Sequence, residues 1–282
     1  MTKNIKVTVL IENTGDEDFK CEHGLSLYIE TDDKKILLDA GQTDLFLENA
    51  KELMIDLKST DFCVLSHGHY DHSGGFKTLL EKYSDLKVHV MKGYDGEYYS
   101  GNGEMHYIGL SEELLSNHKD KFIVTDSFKE IEDGIYLVPH NTKDLEKIGD
   151  KHKLYIKRED KYYGDDFSHE MSLVIDTIKG LIIFNSCSHS GLATIIKEVK
   201  GALPGKNIYG FFGGLHMKGK KGEVEICTFT DDELDKFAKT VIDEGLEALY
   251  TGHCTGKEGY DRLESRIPEI LYHLKSGRII LV

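Results

Sequence analysis

The sequence contains no tryptophan, only three prolines and only five cysteines among its 282 residues. The cysteines are few, odd in number and scattered, and no two of them form a CxxC pair. This excludes a small secreted scaffold held together by disulfides, so we expect reduced thiols. The cysteines are Cys21, Cys63, Cys187, Cys227 and Cys254.

Long apolar runs are also absent. No stretch approaches the roughly 18 to 20 uncharged apolar residues that a membrane span needs, and the first residues contain no long apolar segment of the kind found in secretory signals. We therefore expect a cytoplasmic protein without a membrane anchor.

Positive charge is scarce, because 35 Lys and Arg residues face 50 Asp and Glu residues, which gives a formal net charge of −15. A protein that neutralises the phosphates of a nucleic acid needs the opposite balance. We expect a small-molecule substrate and no nucleic-acid partner, while the oligomeric state stays open. The composition, 39% hydrophobic and 30% charged, fits a soluble globular protein. Without a linker or a repeat, one domain over residues 1–282 is the simplest interpretation.

Hydrophobic periodicity predicts the elements around the most conspicuous motif. Alternating apolar residues predict strands at 5–11 and 25–29, and a short apolar run predicts another strand at 62–65. A helix is predicted to begin at Phe76. The histidine-rich residues 67–72 therefore lie on a loop between a buried strand and a helix.

Farther along the chain, the tyrosine- and glycine-rich residues 93–109 show little periodicity and are predicted to form a loop or lid at the active site. A hairpin is predicted around residues 154–156 and another at 173–184. The sequence from Thr230 to Glu233 predicts a helix start with a capping box. Apolar spacing predicts a last helix at residues 267–274.

Three histidines and an aspartate lie within six residues, at His67, His69, Asp71 and His72. Packing explains this density poorly, since each buried imidazole or carboxylate requires a polar partner. On a loop, His67 and His69 can face one side while Asp71 and His72 face the other, so the cluster can bind two ions of the Zn, Fe or Mn type. A solvated histidine-rich turn is the alternative, but the position after a buried strand favours metal.

The order of these residues resembles the His-x-His-x-Asp-His motif of the metallo-β-lactamase superfamily. The resemblance extends to residues 37–41 and 250–253 and covers nearly the whole chain. It implies an α/β fold built as a four-layer αββα sandwich, with the metal site at the edge where loops from both sheets meet. Such enzymes use divalent ions, and zinc is expected first, with iron or manganese as alternatives.

The resemblance also implies the ligands. By this similarity, His67 and His69 bind the first ion, while Asp71 and His72 bind the second. The late histidine His253 completes the second set.

The middle ligands depart from the family pattern. Cys187 stands where the family has a bridging aspartate; its thiolate would be a soft ligand, or it is a small buried hydrophobe. The missing histidine is His189 or His169, and we favour His189 because His169 lies one position out of register. Glu170 is a candidate oxygen ligand or hydrogen-bond acceptor.

Residues 187–191, 213–216 and 252–256 resemble one subgroup of the superfamily, which includes archaeal dihydropterin/ribofuranosylaminobenzene phosphate synthases. His216 is then a candidate for substrate binding or acid/base catalysis, with an ordinary surface histidine as the alternative. Asp39 is predicted to orient a metal-bound histidine.

Weaker features remain open. The tyrosines of residues 93–109 either stack on an aromatic substrate or cover the core. The lysines of residues 218–221 either attract a phosphate or carboxylate group or form a solvated surface. His23 either approaches the site or lies in a solvated turn.

Two ions about 3.5 to 4 Å apart can share a hydroxide at neutral pH. The leading hypothesis is therefore metal-assisted hydrolysis of an ester, lactone or phosphate-type small molecule. Asp71 would be both a ligand and the group that orients the hydroxide, and His216 or a water would donate a proton to the leaving group. One alternative is a transferase that condenses a pterin methyl diphosphate with an arylamine. Another is a non-catalytic ligand or metal sensor.

Overall fold

Residues 2–282, which the computed structural model describes, form twenty β-strands and eight α-helices. The strands are β1 (Lys6–Ile11), β2 (Ser26–Glu30), β3 (Lys35–Leu38), β4 (Phe62–Val64), β5 (Val88–Met91), β6 (Tyr98–Asn102), β7 (Glu104–Tyr107), β8 (Phe122–Thr125), β9 (Lys129–Glu132), β10 (Ile135–Pro139), β11 (Leu154–Arg158), β12 (Lys161–Gly164), β13 (Met171–Thr177), β14 (Gly180–Phe184), β15 (Ile208–Phe212), β16 (Lys218–Lys221), β17 (Val224–Cys227), β18 (Ala248–Thr251), β19 (Leu271–His273) and β20 (Ile279–Leu281). The helices are α1 (Leu45–Glu52), α2 (Tyr70–Ser73), α3 (Phe76–Lys82), α4 (Glu112–His118), α5 (Glu146–His152), α6 (Leu192–Ala202), α7 (Asp231–Asp243) and α8 (Gly256–Glu264). Among these residues, no helix is long and apolar enough to cross a membrane.

Two seven-stranded mixed sheets form the frame. The first has the order β20-β1-β2-β3-β4-β5-β8, and its strands from β3 to β8 run parallel. The second has the order β19-β18-β15-β14-β13-β10-β9, with parallel pairing from β14 to β19. Parallel strands require crossovers that place helices on the sheet faces.

The packing of side chains defines four layers. Between the sheets, residues of β1 such as Val7 and Val9 pack with residues of β13 such as Leu173. On the outer face of the first sheet lie α1, α3 and α4, while α6, α7 and α8 cover the outer face of the second. The expected four-layer αββα sandwich is therefore confirmed.

Several local predictions are also confirmed. The hairpin at 173–184 is present, since β13 and β14 pair antiparallel with Ile175 opposite Ile182. Helix α7 begins with the predicted capping box, in which Thr230 and Glu233 exchange hydrogen bonds between side chain and backbone. The hairpin around 154–156 is the pair β11 and β12, but helix α5 before it was not predicted.

The prediction of a loop or lid at residues 93–109 is wrong for most of this segment. Residues 98–102 and 104–107 form β6 and β7, which join β11 and β12 in a separate four-stranded sheet. Tyrosines favour strands, and Gly103 has a φ of +104° at the turn between them. Tyr98 is buried and packs on the ring of His169, with ring centroids 3.9 Å apart.

The predicted helix at 267–274 is also wrong. Pro268 lacks the amide hydrogen that a helix interior needs, and residues 271–273 instead form β19, parallel to β18. The apolar residues at 267, 271 and 274 have helix-like spacing because they pack into two different cores. Ile267 and Leu271 pack under the outer helices, whereas Leu274 packs between the sheets.

The carboxyl ends of parallel strands from both sheets meet at one edge of the sandwich. Asp39 follows β3, and the loop with His67 follows β4 of the same sheet. From the second sheet, Cys187 follows β14 and His253 follows β18. The fold thus brings together residues that are far apart in sequence.

Candidate metal centre

The motif loop turns sharply between β4 and α2. His67 and His69 precede the helix, while Asp71 and His72 lie within it, and all four side chains are buried. A side chain at Gly68 would place its Cβ 2.5 Å from the carbonyl oxygen of Tyr94, so only glycine fits between the first two histidines.

The first half of the centre consists of His67, His69 and His189. One ligand atom from each lies within 4.8 Å of the other two. The Nε2 atoms of His67 and His189 are 3.2 Å apart. The buried Nε2 of His69 has no hydrogen-bond partner among the described residues. Buried polar atoms normally have a partner, and a metal ion between the three imidazoles would provide one.

The second half consists of Asp71, His72 and His253. The Nε2 atoms of the two histidines are 3.2 Å apart, and they lie 3.5 and 3.4 Å from Oδ2 of Asp71. Ligands about 2.0 to 2.1 Å from a tetrahedral zinc ion lie about 3.3 Å from one another. The three atoms therefore have the spacing of zinc ligands.

Cys187 faces both halves. Its Sγ lies 3.2 Å from Nε2 of His72, and ligand atoms of Cys187, His67 and His72 all fall within 4.8 Å of one another. Burial raises the pKa of the Cys187 thiol, and the neighbouring Cys254 raises it further. A bound cation has the opposite effect and favours the thiolate. The placement is that of a bridging ligand.

Asp39 supports one histidine in each half. Its Oδ2 lies 2.8 Å from Nδ1 of His72 and accepts the hydroxyl hydrogen of Ser66 at 2.7 Å. The hydroxyl oxygen of Ser66 lies 2.8 Å from Nδ1 of His67. These contacts favour the proton on Nδ1 of both rings, which leaves the Nε2 lone pairs directed into the centre.

Backbone conformation also marks the site. Asp39, Ser188, His216 and His253 have φ between +48° and +56°, in the left-handed region that residues other than glycine rarely occupy. Such conformations often occur at functional sites, where the surrounding structure maintains them.

Sequence analysis missed two residues that hold His253. Glu12 accepts the backbone N–H of His253, and the Oδ1 of Asn13 lies 2.9 Å from its Nδ1. The sequence feature that could have identified them is a Glu-Asn pair directly after an apolar strand. His23, whose position was open, approaches the site: its Nε2 lies 3.3 Å from Oδ2 of Asp71, and its ring stacks on that of His253.

The two candidates for the middle histidine have different surroundings. His169 accepts the backbone N–H of Gly68 at 2.9 Å through Nδ1, and its Nε2 lies 3.0 Å from a carboxylate oxygen of Asp165. Although Asp165, His169 and His69 also cluster, both ring nitrogens of His169 are already used within the protein. The geometry favours His189, which lies against His67.

Glu170 anchors the loop of His189 and has no free carboxylate oxygen. Its Oε1 accepts the backbone N–H of His189 at 2.8 Å, and its Oε2 accepts the N–H and hydroxyl hydrogens of Ser190 at 2.9 and 2.6 Å. Of the two roles considered for Glu170, the structure shows the hydrogen-bond acceptor.

His216 adjoins the first half of the centre. Its ring centroid is 4.3 Å from that of His189 and 4.9 Å from that of His152. The residue is half-buried, and its Nδ1 has no hydrogen-bond partner among residues 2–282. The side chain is therefore within reach of a substrate held at the centre, and its catalytic role stays a prediction.

The two halves differ in their electrostatics. Burial lowers the pKa of His67 and His189 and lowers that of His69 to about 3, with neighbouring imidazoles adding to the effect. Burial also disfavours the charged form of His72, but Asp71 and Asp39 outweigh it and raise the pKa to about 9. The first half thus offers neutral imidazoles. The second half favours a positive charge, which a metal ion would supply in place of the proton.

Comparisons with known proteins identify the family of this chain. The family model of the metallo-beta-lactamase superfamily matches residues 20–166. An uncharacterized protein of Methanocaldococcus jannaschii is 32% identical over 97% of this chain and 99% of its own length. The 7,8-dihydropterin-6-methyl-4-(beta-D-ribofuranosyl)-aminobenzene-5'-phosphate synthase of the same organism is 28% identical over 98% of this chain and 96% of its own length. The crystal structure of a metal-dependent hydrolase of the beta-lactamase superfamily is 27% identical, covers 98% of both chains and has a TM-score of 0.79.

Proposed function

Since the chain belongs to the metallo-beta-lactamase superfamily, we propose that it is a metal-dependent hydrolase with a dinuclear centre. Its substrate would be an ester, a lactone or a phosphate-type small molecule. The observation that carries this proposal is the pair of adjacent ligand sets, one around His67 and one around Asp71, with the thiol of Cys187 between them.

Neutral imidazoles, one carboxylate and one thiol are donors that suit zinc, and iron or manganese are the alternatives. When bound, two such ions lower the pKa of water towards about 7 and polarise the attacked bond. Asp39 and Ser66 fix the protonation of the ring nitrogens that face away from the centre. Asp71 would orient the attacking water, and His216 would hold the proton for the leaving group.

The test combines metal analysis with product analysis. Purified protein should contain two divalent ions per chain by elemental analysis, and hydrolysis in ¹⁸O-labelled water should place the label in the product. In His67→Ala we expect loss of metal and of hydrolysis with an unchanged circular dichroism spectrum, because a ligand is removed from the first half. Wild-type protein that takes up no Zn, Fe or Mn, or His67→Ala with full metal occupancy, would contradict the proposal.

A transferase is the second candidate, and the 28% identity to the phosphate synthase along nearly the whole chain favours it. The two reactions differ in what they require. A condensation would release pyrophosphate only when a pterin methyl diphosphate and an arylamine are both present, whereas hydrolysis needs water alone. Metal binding without turnover of any substrate would instead support a sensor.

A further inference from the structure

The loop at residues 165–169 contacts the first half of the metal centre, although it belongs to neither proposed ligand set. It directly follows β12, and the side chains of Asp165, Phe167 and His169 are fully buried. Phe167 has a φ of +50°, which a bulky residue rarely adopts, and its ring stacks on that of His189 with centroids 5.1 Å apart. Such backbone strain persists where the surrounding structure maintains it, often at functional sites.

The hydrogen bonds of His169 determine which of its ring nitrogens carries the proton. Its Nδ1 lies 2.9 Å from the backbone nitrogen of Gly68, and a backbone N–H can only donate, so Nδ1 is an acceptor without a proton. The ring proton is therefore on Nε2, which donates to Oδ2 of Asp165 at 3.0 Å. The Oδ1 of Asp165 accepts the backbone N–H of Phe167 at 2.9 Å. Every donor in this chain of hydrogen bonds thus meets an acceptor.

The chain of hydrogen bonds ends on the peptide group between His67 and Gly68. The N–H of this group donates to His169, while its carbonyl oxygen accepts the backbone N–H of His69 at 3.0 Å. A Cβ at Gly68 would lie 3.0 Å from Cε2 of Tyr98, so the peptide is also confined by that ring. Because a peptide group is planar, contacts at both of its edges fix the orientation of His67 relative to His69.

The buried pair of Asp165 and His169 is not explained by a gain in stability. Removing a carboxylate and an imidazole from water costs free energy, and the attraction between two buried partners often does little more than offset that cost. What the pair holds in place is the N–H of Gly68, a buried residue whose donor would otherwise need another partner. The function of the pair is therefore to be sought at the metal-binding loop.

We propose that Asp165 and His169 are positioning residues for the first half of the centre. Asp165 keeps the proton of His169 on Nε2, and the free Nδ1 holds the peptide before Gly68 in the orientation that directs His67 and His69 to one ion. The inference rests on the proposed function, because it takes the first half as a metal site. It also gives the separate four-stranded sheet a role, since Asp165 follows β12 of that sheet.

The first test locates the ring proton of His169 by nitrogen NMR in metal-free protein. In the wild type, the proton should be on Nε2. Asp165→Asn keeps the size of the side chain, but the N–H of Phe167 holds the amide oxygen, so the amide nitrogen faces Nε2 of His169. The proton should then move to Nδ1, where it opposes the N–H of Gly68, and exchange of that amide hydrogen should become about tenfold faster.

The matched control for this test is Asp166→Asn. The carboxylate of Asp166 accepts hydrogen bonds from Arg158 and from the backbone of Ser168, and none of these residues contacts Gly68. We expect the proton of His169 to stay on Nε2 in this variant. Exchange of the Gly68 amide hydrogen should change by less than about twofold.

The second test compares two replacements of His169 by their affinity for zinc in competition with a chelator. Asparagine can place its amide oxygen near the position of Nδ1 and accept the N–H of Gly68, whereas glutamine reaches the position of Nε2 and can donate only to Asp165. His169→Gln should therefore weaken zinc binding in the first half by about tenfold, and His169→Asn should restore most of this loss. Both variants should still bind two ions at saturating zinc.

The inference and the proposed function can fail separately. The tautomer of His169 and the exchange rate of Gly68 are measured without metal, so they decide the inference even if the protein takes up no zinc. A wild-type proton on Nδ1 would overturn it, and this measurement needs no variant that has to fold. Unchanged exchange at Gly68 in Asp165→Asn would also overturn it, as would equal zinc affinities of His169→Asn and His169→Gln.

Discussion

Cys187 and Cys254 are both buried at the centre, yet their contacts differ. The Sγ of Cys187 lies 3.2 Å from Nε2 of His72, whereas the Sγ of Cys254 lies 3.6 Å from the carbonyl oxygen of Cys187 and accepts the backbone N–H of His216 at 3.3 Å. Ligand atoms of Cys254, Cys187 and His253 lie within 4.8 Å of one another, so the second thiol adjoins the second half, whereas the first thiol also groups with His67 and His72. Among residues 2–282, Cys187 is therefore the thiol placed to bridge the two halves.

We therefore predict that the Co(II)-substituted protein shows a sulfur-to-metal charge-transfer band that depends on Cys187. Cys187→Ser should abolish the band, because the thiolate ligand is lost. Cys254→Ser should retain it and is the matched control, since it removes a buried thiol from the same neighbourhood. A band of full intensity in Cys187→Ser would show that Cys187 is not a ligand.

The two middle histidines give a second prediction. His189→Ala should reduce the metal content by about one ion per chain, because one of three imidazoles is lost from the first half. His169→Ala should retain both ions, since His169 contacts Gly68 and Asp165 instead. Elemental analysis after dialysis measures both. The assignment fails if His169→Ala loses metal while His189→Ala keeps it.

At the scale of residues, the sequence predicts those site residues that lie close together in the chain. His67 to His72 lie within six residues, so their pattern is visible without a structure. Glu12 and His253 are 241 positions apart, and no periodicity connects them. Their contact exists only because β1 of one sheet and β18 of the other end at the same edge.

At the scale of elements, a buried network links α6 to the loop that carries Cys187. Glu198 of α6 lies 2.7 Å from Nδ1 of His140, and the Nε2 of His140 lies 2.8 Å from the hydroxyl of Ser172. Asn185 donates to that hydroxyl at 3.1 Å and accepts the backbone N–H of Ser188 at 2.8 Å. The order Ser-His-Glu resembles a nucleophilic triad, but Ser172 is fully buried in β13. The network therefore positions the loop.

We predict that His140→Ala destabilises the protein by about 2 to 3 kcal/mol, because it leaves buried polar groups without partners. The free energy of unfolding in urea measures the effect. His106 is exposed, so His106→Ala serves as the control and should change stability by less than about 0.5 kcal/mol. Equal stability of the two variants would mean that the network does not support the fold.

Elements were predictable where periodicity and end signals agreed, as in α7 with its capping box. They were missed where pairing with a distant strand decided the structure. Residues 98–107 became strands because β11 pairs with β6, and residues 271–273 became a strand because β18 runs beside them. Such pairings supply hydrogen bonds that a local pattern does not reveal.

For the whole molecule, the candidate metal centre lies at the edge of the sandwich where strands of both sheets end. The loop with His67 and His72 follows β4 of the first sheet, whereas Cys187, His189 and His253 follow strands of the second. Each proposed ligand set therefore contains residues from both sheets. Bound metal would connect the two halves of the sandwich.

This arrangement predicts that metal removal lowers the melting temperature. A ligand that binds only the folded state stabilises it by about 4 kcal/mol when its free concentration is about a thousandfold above the dissociation constant. Without metal, the buried Nε2 of His69 has no partner among the described residues. We expect the melting temperature of wild-type protein to rise with free zinc and to fall in chelator, while His67→Ala shows a much smaller dependence. A wild-type melting temperature that does not vary between chelator and excess zinc would show that metal does not tie the two sheets together.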